Sequence, residues 1–372
     1  MVLVTTLDHQ HHLSPTIPSS SSSSIPSEKV TYAAQRLPSE VLLHISNHLF
    51  TETDIGTILN LSFTSRSQRI LLAPRIWSKI WITTPDHLPR LEAILEFYRS
   101  HHRENGQHAS VASHEKLVTS LEPPTSLIRS IVVRLPERYQ NFDQSPLLKI
   151  LSDAPISGAN VVELEWDAEV LPVPRIWSLL SPTLEVLRID CKTFWGGHRD
   201  LSLLTRLKSL TMTGYESHLL PPHLPNLLRS TRLEKLCMSS SKTSILHQTD
   251  LISEGVFSNL SSLQVYPVTP EPPLQLALLS ARETLTDLEL NLDISPHLNN
   301  FDNLWKGLSQ GRMKSLERLT VDPHPQQNTA PSFVEFLSST PSLKLINGRK
   351  VDGLPPCGGI FDPDHRTGLF FY

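Results

Sequence analysis

Gly307-Leu308-Ser309-Gln310-Gly311 has the G-x-S-x-G spelling of a hydrolase nucleophile turn, and Asp322 with His324 or His365 follows it in a hydrolase order. That chemistry needs the serine on a strained turn, with a strand before it and a helix after it. Here Phe301 to Lys306 has helical spacing and the strand-like Leu319-x-Val321 comes afterwards. The order is reversed, and the stretch reads as a connection between structural units. Asp362-Pro363-Asp364-His365 offers two carboxylates and an imidazole, but on a Pro-containing turn that reads as a solvated loop. His9, His11 and His12 lack a carboxylate or thiol cage. Cys191, Cys237 and Cys357 are odd in number and far apart, which suits neither a disulfide framework nor a zinc-ligand spacing. No catalytic residue, cofactor or metal is expected.

If the side chains do no bond chemistry, function must lie in what the structural elements present. The 372 residues can hold two or three domains and a sizeable core. A net charge of −4 supplies no broad basic field for nucleic acid or membrane. Thirty prolines against fourteen glycines suggest many short elements with stiff connections. Met1-Val2-Leu3-Val4 has no basic flank and Asp8 interrupts it, unlike a signal peptide. No run reaches the ~18 apolar residues of a membrane span. With its odd cysteines the chain is expected in a reducing interior, cytoplasmic and/or nuclear. Residues 1–34, with serine throughout Ser19 to Ser24, read as a disordered Ser/Pro-rich segment.

Residues 35–82 read as a small all-α module. Pro38 suits the first turn of a helix, and Glu40 sits against the positive end of its dipole. Val41, Ile45 and Leu49 recur at i, i+4 and i+8 beside Leu42, with Leu37 just ahead of them. Thr53-Asp54 offers an N-cap ahead of Ile55, Ile58 and Leu59. A run from Ser65 to Leu72 follows, which Pro74 ends, and then Pro74-Arg75-Ile76-Trp77-Ser78-Lys79-Ile80-Trp81. Three or four short helices are too few to bury every apolar face they present, so an uncovered edge is expected to meet a partner. The Leu37-Pro38 opening, Glu40, the Val41/Leu42/Ile45/Leu49 face and the closing Pro74-x-x-Trp77 resemble the F-box, the motif that plugs substrate receptors into SCF-type cullin-RING ubiquitin ligases. The resemblance implies docking on the SCF adaptor through Leu37, Pro38, Glu40, Val41, Leu42, Ile45, Leu49, Ile58 and Trp77.

Residues 83–125 read as a helix opened by Pro89, with Leu91, Ile94, Leu95 and Tyr98 on one face, and then a linker. From 126 to 350 the chain repeats. The pattern L-x-x-L-x-L begins at Ile128, Val161, Leu184, Leu207, Leu233, Leu260, Leu285 and Leu316, with a degraded ninth copy at Leu343. The intervals run from 23 to 33 residues, close to those of a solenoid repeat. No single repeat can bury its apolar side chains, so the strands should stack into one parallel sheet with the connections packed behind. Leu274, Ala277 and Leu278, and likewise Phe333, Phe336 and Leu337, have helical spacing within those connections. This part looks like the leucine-rich-repeat domains that follow the F-box in many SCF receptors, without the asparagine that such repeats carry after each strand. Irregular turns are therefore expected. Residues 351–372 form a tail in which Leu369-Phe370-Phe371-Tyr372 could cover the last repeat.

The expected fold is α/β: an F-box-like helical module followed by an irregular leucine-rich-repeat solenoid with a parallel sheet on its concave face. The residues between the apolar positions should face that side, and Glu165, Arg188, Thr211, Cys237, Gln264, Tyr266, Glu289 and Arg318 are its candidate target-binding residues. Acids toward both ends favour a basic target segment. The expected function is a non-catalytic substrate receptor that binds the SCF adaptor at one end and a target protein at the other. The alternative is a leucine-rich-repeat scaffold whose helical module packs on its own first repeat. Nucleic acid and membrane are not expected partners.

Overall fold

A strand that alternates apolar and polar side chains buries one face only, and a chain of such strands needs a neighbour at every step. The computed structural model describes residues 66–96, 124–136, 138–139, 142–157, 161–190, 201–215, 223–240, 248–268, 272–292, 299–322 and 330–351. Their strands are β1 (Lys79–Ile82), β2 (Ser130–Arg134), β3 (Glu163–Asp167), β4 (Val186–Asp190), β5 (Ser209–Tyr215), β6 (Lys235–Ser240), β7 (Ser262–Val268), β8 (Asp287–Leu292), β9 (Arg318–Asp322), β10 (Leu345–Ile346) and β11 (Arg349–Lys350). They form one 11-stranded sheet whose spatial order is the sequence order, parallel from β1 to β10. Helices α1 (Arg66–Ser78), α2 (87–96), α3 (Pro124–Leu127), α4 (Ser145–Ser157), α5 (Pro174–Leu180), α6 (Leu224–Ser230), α7 (Thr249–Ser253), α8 (Pro272–Ser280), α9 (Asn299–Gly311) and α10 (Ala330–Ser338) lie in the connections. The result is an α/β, solenoid-like stack.

The three apolar positions of each repeat are its core. Ile131, Leu164, Leu187, Leu210, Leu236, Leu263, Leu288 and Leu319 stand in one register, and Val133, Trp166, Ile189, Met212, Met238, Val265, Leu290 and Val321 in the next. All are buried in a single apolar cluster with Leu227, Leu278, Leu308 and Phe336 from the helices. A second device keeps the register. The carbonyl of the residue before each strand from β2 to β9 accepts two N–H donors from the next repeat. Arg129 accepts from Val162 and Glu163, Glu185 from Lys208 and Ser209, and so on to Glu317, which accepts from Lys344 and Leu345, all at 2.7–3.0 Å. Such shared carbonyls leave few backbone groups without a partner at the turns.

Ahead of several strands, hydroxyls tie one repeat to the one before it. Thr183 Oγ1 donates to the Val161 carbonyl (2.8 Å), Thr284 Oγ1 to Leu260 (2.8 Å) and Ser342 Oγ to Leu316 (2.9 Å). In each case the residue before the first apolar position reaches the first apolar position of the preceding repeat.

Three elements differ from the sequence expectation. Lys79 to Ile82 is a strand, paired with β2 through Lys79↔Ser130 and Ile82↔Val133, rather than the end of an all-α module. Trp77-x-x-Ile80-x-Ile82 is itself the first copy of the repeat pattern, and all three side chains lie in the core. Helix α1 runs through Pro74 instead of stopping there. One proline removes one hydrogen bond and crowds one carbonyl, at roughly 3 kcal/mol, which the burial of Trp77 and Ala73 can offset. At the other end, Asn347 and Gly348 both have positive φ (47° and 77°) and turn the chain back as the antiparallel hairpin β10–β11. Asn347 also occupies the place of a further strand. Its Oδ1 accepts from the Val321 N–H (2.9 Å) and its Nδ2 donates to the Val321 carbonyl (3.2 Å). The suggested capping stretch Leu369 to Tyr372 lies outside the described residues, as does 1–34.

Candidate functional site

Pleating sends the residue between each inward pair to the face away from the helices. There Trp81, Val132, Glu165, Arg188, Thr211, Cys237, Gln264, Glu289 and Thr320 form one continuous row, paired strand to strand. A parallel row through Ser130, Glu163, Lys235, Asp287 and Arg318 flanks it on one side. Tyr266, paired with Ser239, stands on the other. The sheet therefore brings the target-face residues into one surface, but it does not expose them equally.

The first strands are closed. Val132 is 0% exposed although it lies outside the apolar core, and Glu165 is 8% exposed. The Trp81 ring holds Lys79 Nζ at 4.8 Å and the Arg134 guanidinium at 4.9 Å from its centroid. Arg134 Nε donates to Glu165 Oε1 (2.6 Å), and Arg188 lies 3.8 Å from the other Glu165 oxygen and 3.6 Å from Glu163. Glu165 is thus an internal tie between two arginines rather than an exposed contact. Arg134 is its unanticipated partner, and Trp81 and Lys79 are the unanticipated residues of the first strand that close this end of the face. The signal that would have found them is the apolar pattern at Trp77, Ile80 and Ile82, read as part of the repeat.

The middle of the face is half-buried. Tyr266 is held by burial and by its hydrogen bond to Glu289 well above the usual phenol range, so it stays protonated and donates to that carboxylate. Burial pushes the Cys237 thiol up, the Glu289 charge adds to this, and Arg188 opposes it. A thiol kept protonated is a poor nucleophile. Toward the last strands the Arg318 guanidinium beside Asp287 holds its carboxyl below the ordinary value, against burial and with help from Thr286 Oγ1, which donates at 2.7 Å. Arg188, Lys235 and Arg318 are exposed, and Thr211, Cys237, Gln264, Tyr266 and Glu289 are half-buried.

Ser309 lies inside helix α9, buried, where its hydroxyl donates to Glu335 Oε1 on α10 (3.0 Å). The two glycines around it serve helix packing. A Cβ on Gly307 would fall 1.9 Å from Gln275 Nε2, and one on Gly311 would fall 2.1 Å from Leu279 Cδ2, so α8 and α9 meet where side chains are missing. His324 and His365, like Asp362 to Asp364, lie outside the described residues. Among the described residues no group of three His, Cys, Asp or Glu could hold a metal ion. Nor is any of their helices long and apolar enough to cross a membrane.

Of the residues expected at an adaptor interface, Leu37, Pro38, Glu40, Val41, Leu42, Ile45, Leu49 and Ile58 lie outside the described residues. Trp77 is 8% exposed and belongs to the solenoid core, so its indole is not available to a partner. No protein-family model matches the chain, and no curated protein matches it significantly.

Proposed function

We propose that this chain is a non-catalytic substrate receptor of an SCF-type cullin-RING ubiquitin ligase, in which the stretch from Leu37 to Leu49 docks on the adaptor and the sheet holds the target. The observation that carries the reading is a mostly polar row of outward residues, Glu165 to Thr320, paired strand to strand from β3 to β9, with the described helices packed on the opposite face. Such a face suits an extended protein segment better than a small molecule. The F-box resemblance at Leu37-Pro38-x-Glu40-Val41-Leu42 supplies the link to the ligase. Leu91 and Leu95 of α2 are committed to the repeat core, which favours a Val41/Ile45/Leu49 face left for another subunit over one sealed by α2. The receptor supplies proximity, raising the effective concentration of target beside the transferring enzyme, without a catalytic group of its own.

Each anchor that the adaptor buries should contribute ~1.5–3 kcal/mol by area. Leu37→Ala combined with Pro38→Ala in the full chain should abolish co-precipitation with the adaptor and leave the thermal unfolding of the repeats unchanged. Undiminished adaptor capture by the double variant overturns the ligase assignment and leaves the scaffold reading.

A further inference from the structure

The charges of the open face are not interchangeable. Its arginines are engaged within the face: Arg134 with Glu165 and Trp81, Arg188 with Glu163, and Arg318 with Asp287. Two exposed carboxylates of the face have no ion-pair partner among the described residues: Asp167 at the end of β3 and Asp322 at the end of β9. Asp190 ends the strand beside that of Asp167, and Glu289 lies on the strand beside Asp322, two residues before the paired Asn291. Between these ends the same edge carries Thr213 and Ser239, with half-buried Tyr266 beside them.

From this charge pattern we infer that the open face takes one extended target segment carrying two basic clusters, one at the β3–β4 end and one at the β8–β9 end. The identification of the occupant as a ubiquitination target rests on the proposed function; the binding itself does not. Five strand steps at ~4.8 Å put the two acidic ends roughly 24 Å apart, and at ~3.3 Å per residue an extended chain crosses that in about seven residues. A neutral spacer fits the uncharged edge of Thr213, Ser239 and Tyr266, where the Tyr266 hydroxyl is already bound to Glu289. An acidic or phosphorylated segment would meet unpaired carboxylates at both ends, and the arginines that could answer it are already engaged.

The test uses the full chain without adaptor and three fluorescein-labelled peptides, read by anisotropy. One carries Lys-Arg-Lys at each end of a Gly-Ser spacer of about seven residues. The second keeps a single cluster and the same length, and the third replaces the basic residues with Glu and Asp. The two-cluster peptide should bind at least about ten-fold tighter than the single-cluster one, and more weakly as salt rises. Asp167→Asn and Asp322→Asn should each weaken it by up to about five-fold, the size of an exposed ion pair. Both aspartates are exposed and without ion-pair partners among the described residues, so the substitutions leave the fold intact. Equal binding of the acidic peptide, no binding of the basic one, or an affinity unmoved in the Asp167→Asn/Asp322→Asn double variant overturns the inference. Adaptor capture by the same double variant should be unchanged, so failure here is separable from failure of the ligase reading.

Discussion

The two faces of one sheet obey different rules. On the helix side, eight successive strands place Ile or Leu at one position and Val, Trp, Ile, Met or Leu at the next, all buried. On the other side the row between them runs Val132, Glu165, Arg188, Thr211, Cys237, Gln264, Glu289 and Thr320, with no constraint of size, charge or polarity. The first face must be filled at every step because a repeat cannot bury itself, and the second is free to be shaped by whatever it meets. The contrast has an exception at its N-terminal end, where Val132 and Glu165 are as buried as the core.

The largest test compares neighbours on opposite faces. Leu263→Ala empties a core position and should cost about 3 kcal/mol. Gln264→Ala, one residue on, should fall within about 0.5 kcal/mol of wild type. Urea midpoints at constant m-value measure both, and equal losses would break the distinction between the faces. A smaller effect probes the exception. Arg134→Ala leaves the buried Glu165 carboxylate without its shorter ion pair and should cost roughly 1–2 kcal/mol. Arg188→Ala, whose contacts to Glu163 and Glu165 are 3.6 and 3.8 Å, should cost about 0.5 kcal/mol or less. If the two losses are the same, the first strands are no more closed than the rest.

The smallest expected effect is on pH dependence at the other end of the face. The Asp287 carboxyl is depressed in the folded state, first by Arg318, so its contribution is present above the unfolded value of about 4 and is lost as pH falls through the native one. Asp287→Asn should therefore lower stability near neutrality by about 0.5 kcal/mol or less and flatten the stability curve below about pH 4. Parallel acid limbs for wild type and variant, followed by urea unfolding at stepped pH, would show that this pair adds nothing.

Much of the stack was legible in the chain because its signal is local and repeated. The apolar-x-x-apolar-x-apolar pattern places Ile131, Leu164 and Leu187 in adjacent strands, and their pairing follows it residue for residue. The same pattern was overlooked at Trp77, because Pro74-x-x-Trp77 also closes the F-box spelling and the next copy begins fifty-one residues later, at Ile128. The hairpin was legible too. Asn347-Gly348 between short strands is a strong turn signal, but the weak strand Leu345–Ile346 hid it. Nothing local told that Gly307 and Gly311 serve the contact of α9 with Gln275 and Leu279, since that need comes from another helix.

What the amino-acid order settles by itself is which side of each strand turns inward, since that follows from alternation along a short stretch. It also places the free carboxylates of Asp167 and Asp322 just beyond the inward pairs of their strands. Only the folded arrangement decides which outward residues remain accessible. Glu165 and Gln264 have the same place in their repeats, yet the first is buried between arginines and the second is half-open. The reason is physical: facing inward is set by a residue's own strand, whereas being covered depends on the side chains that neighbouring strands bring beside it.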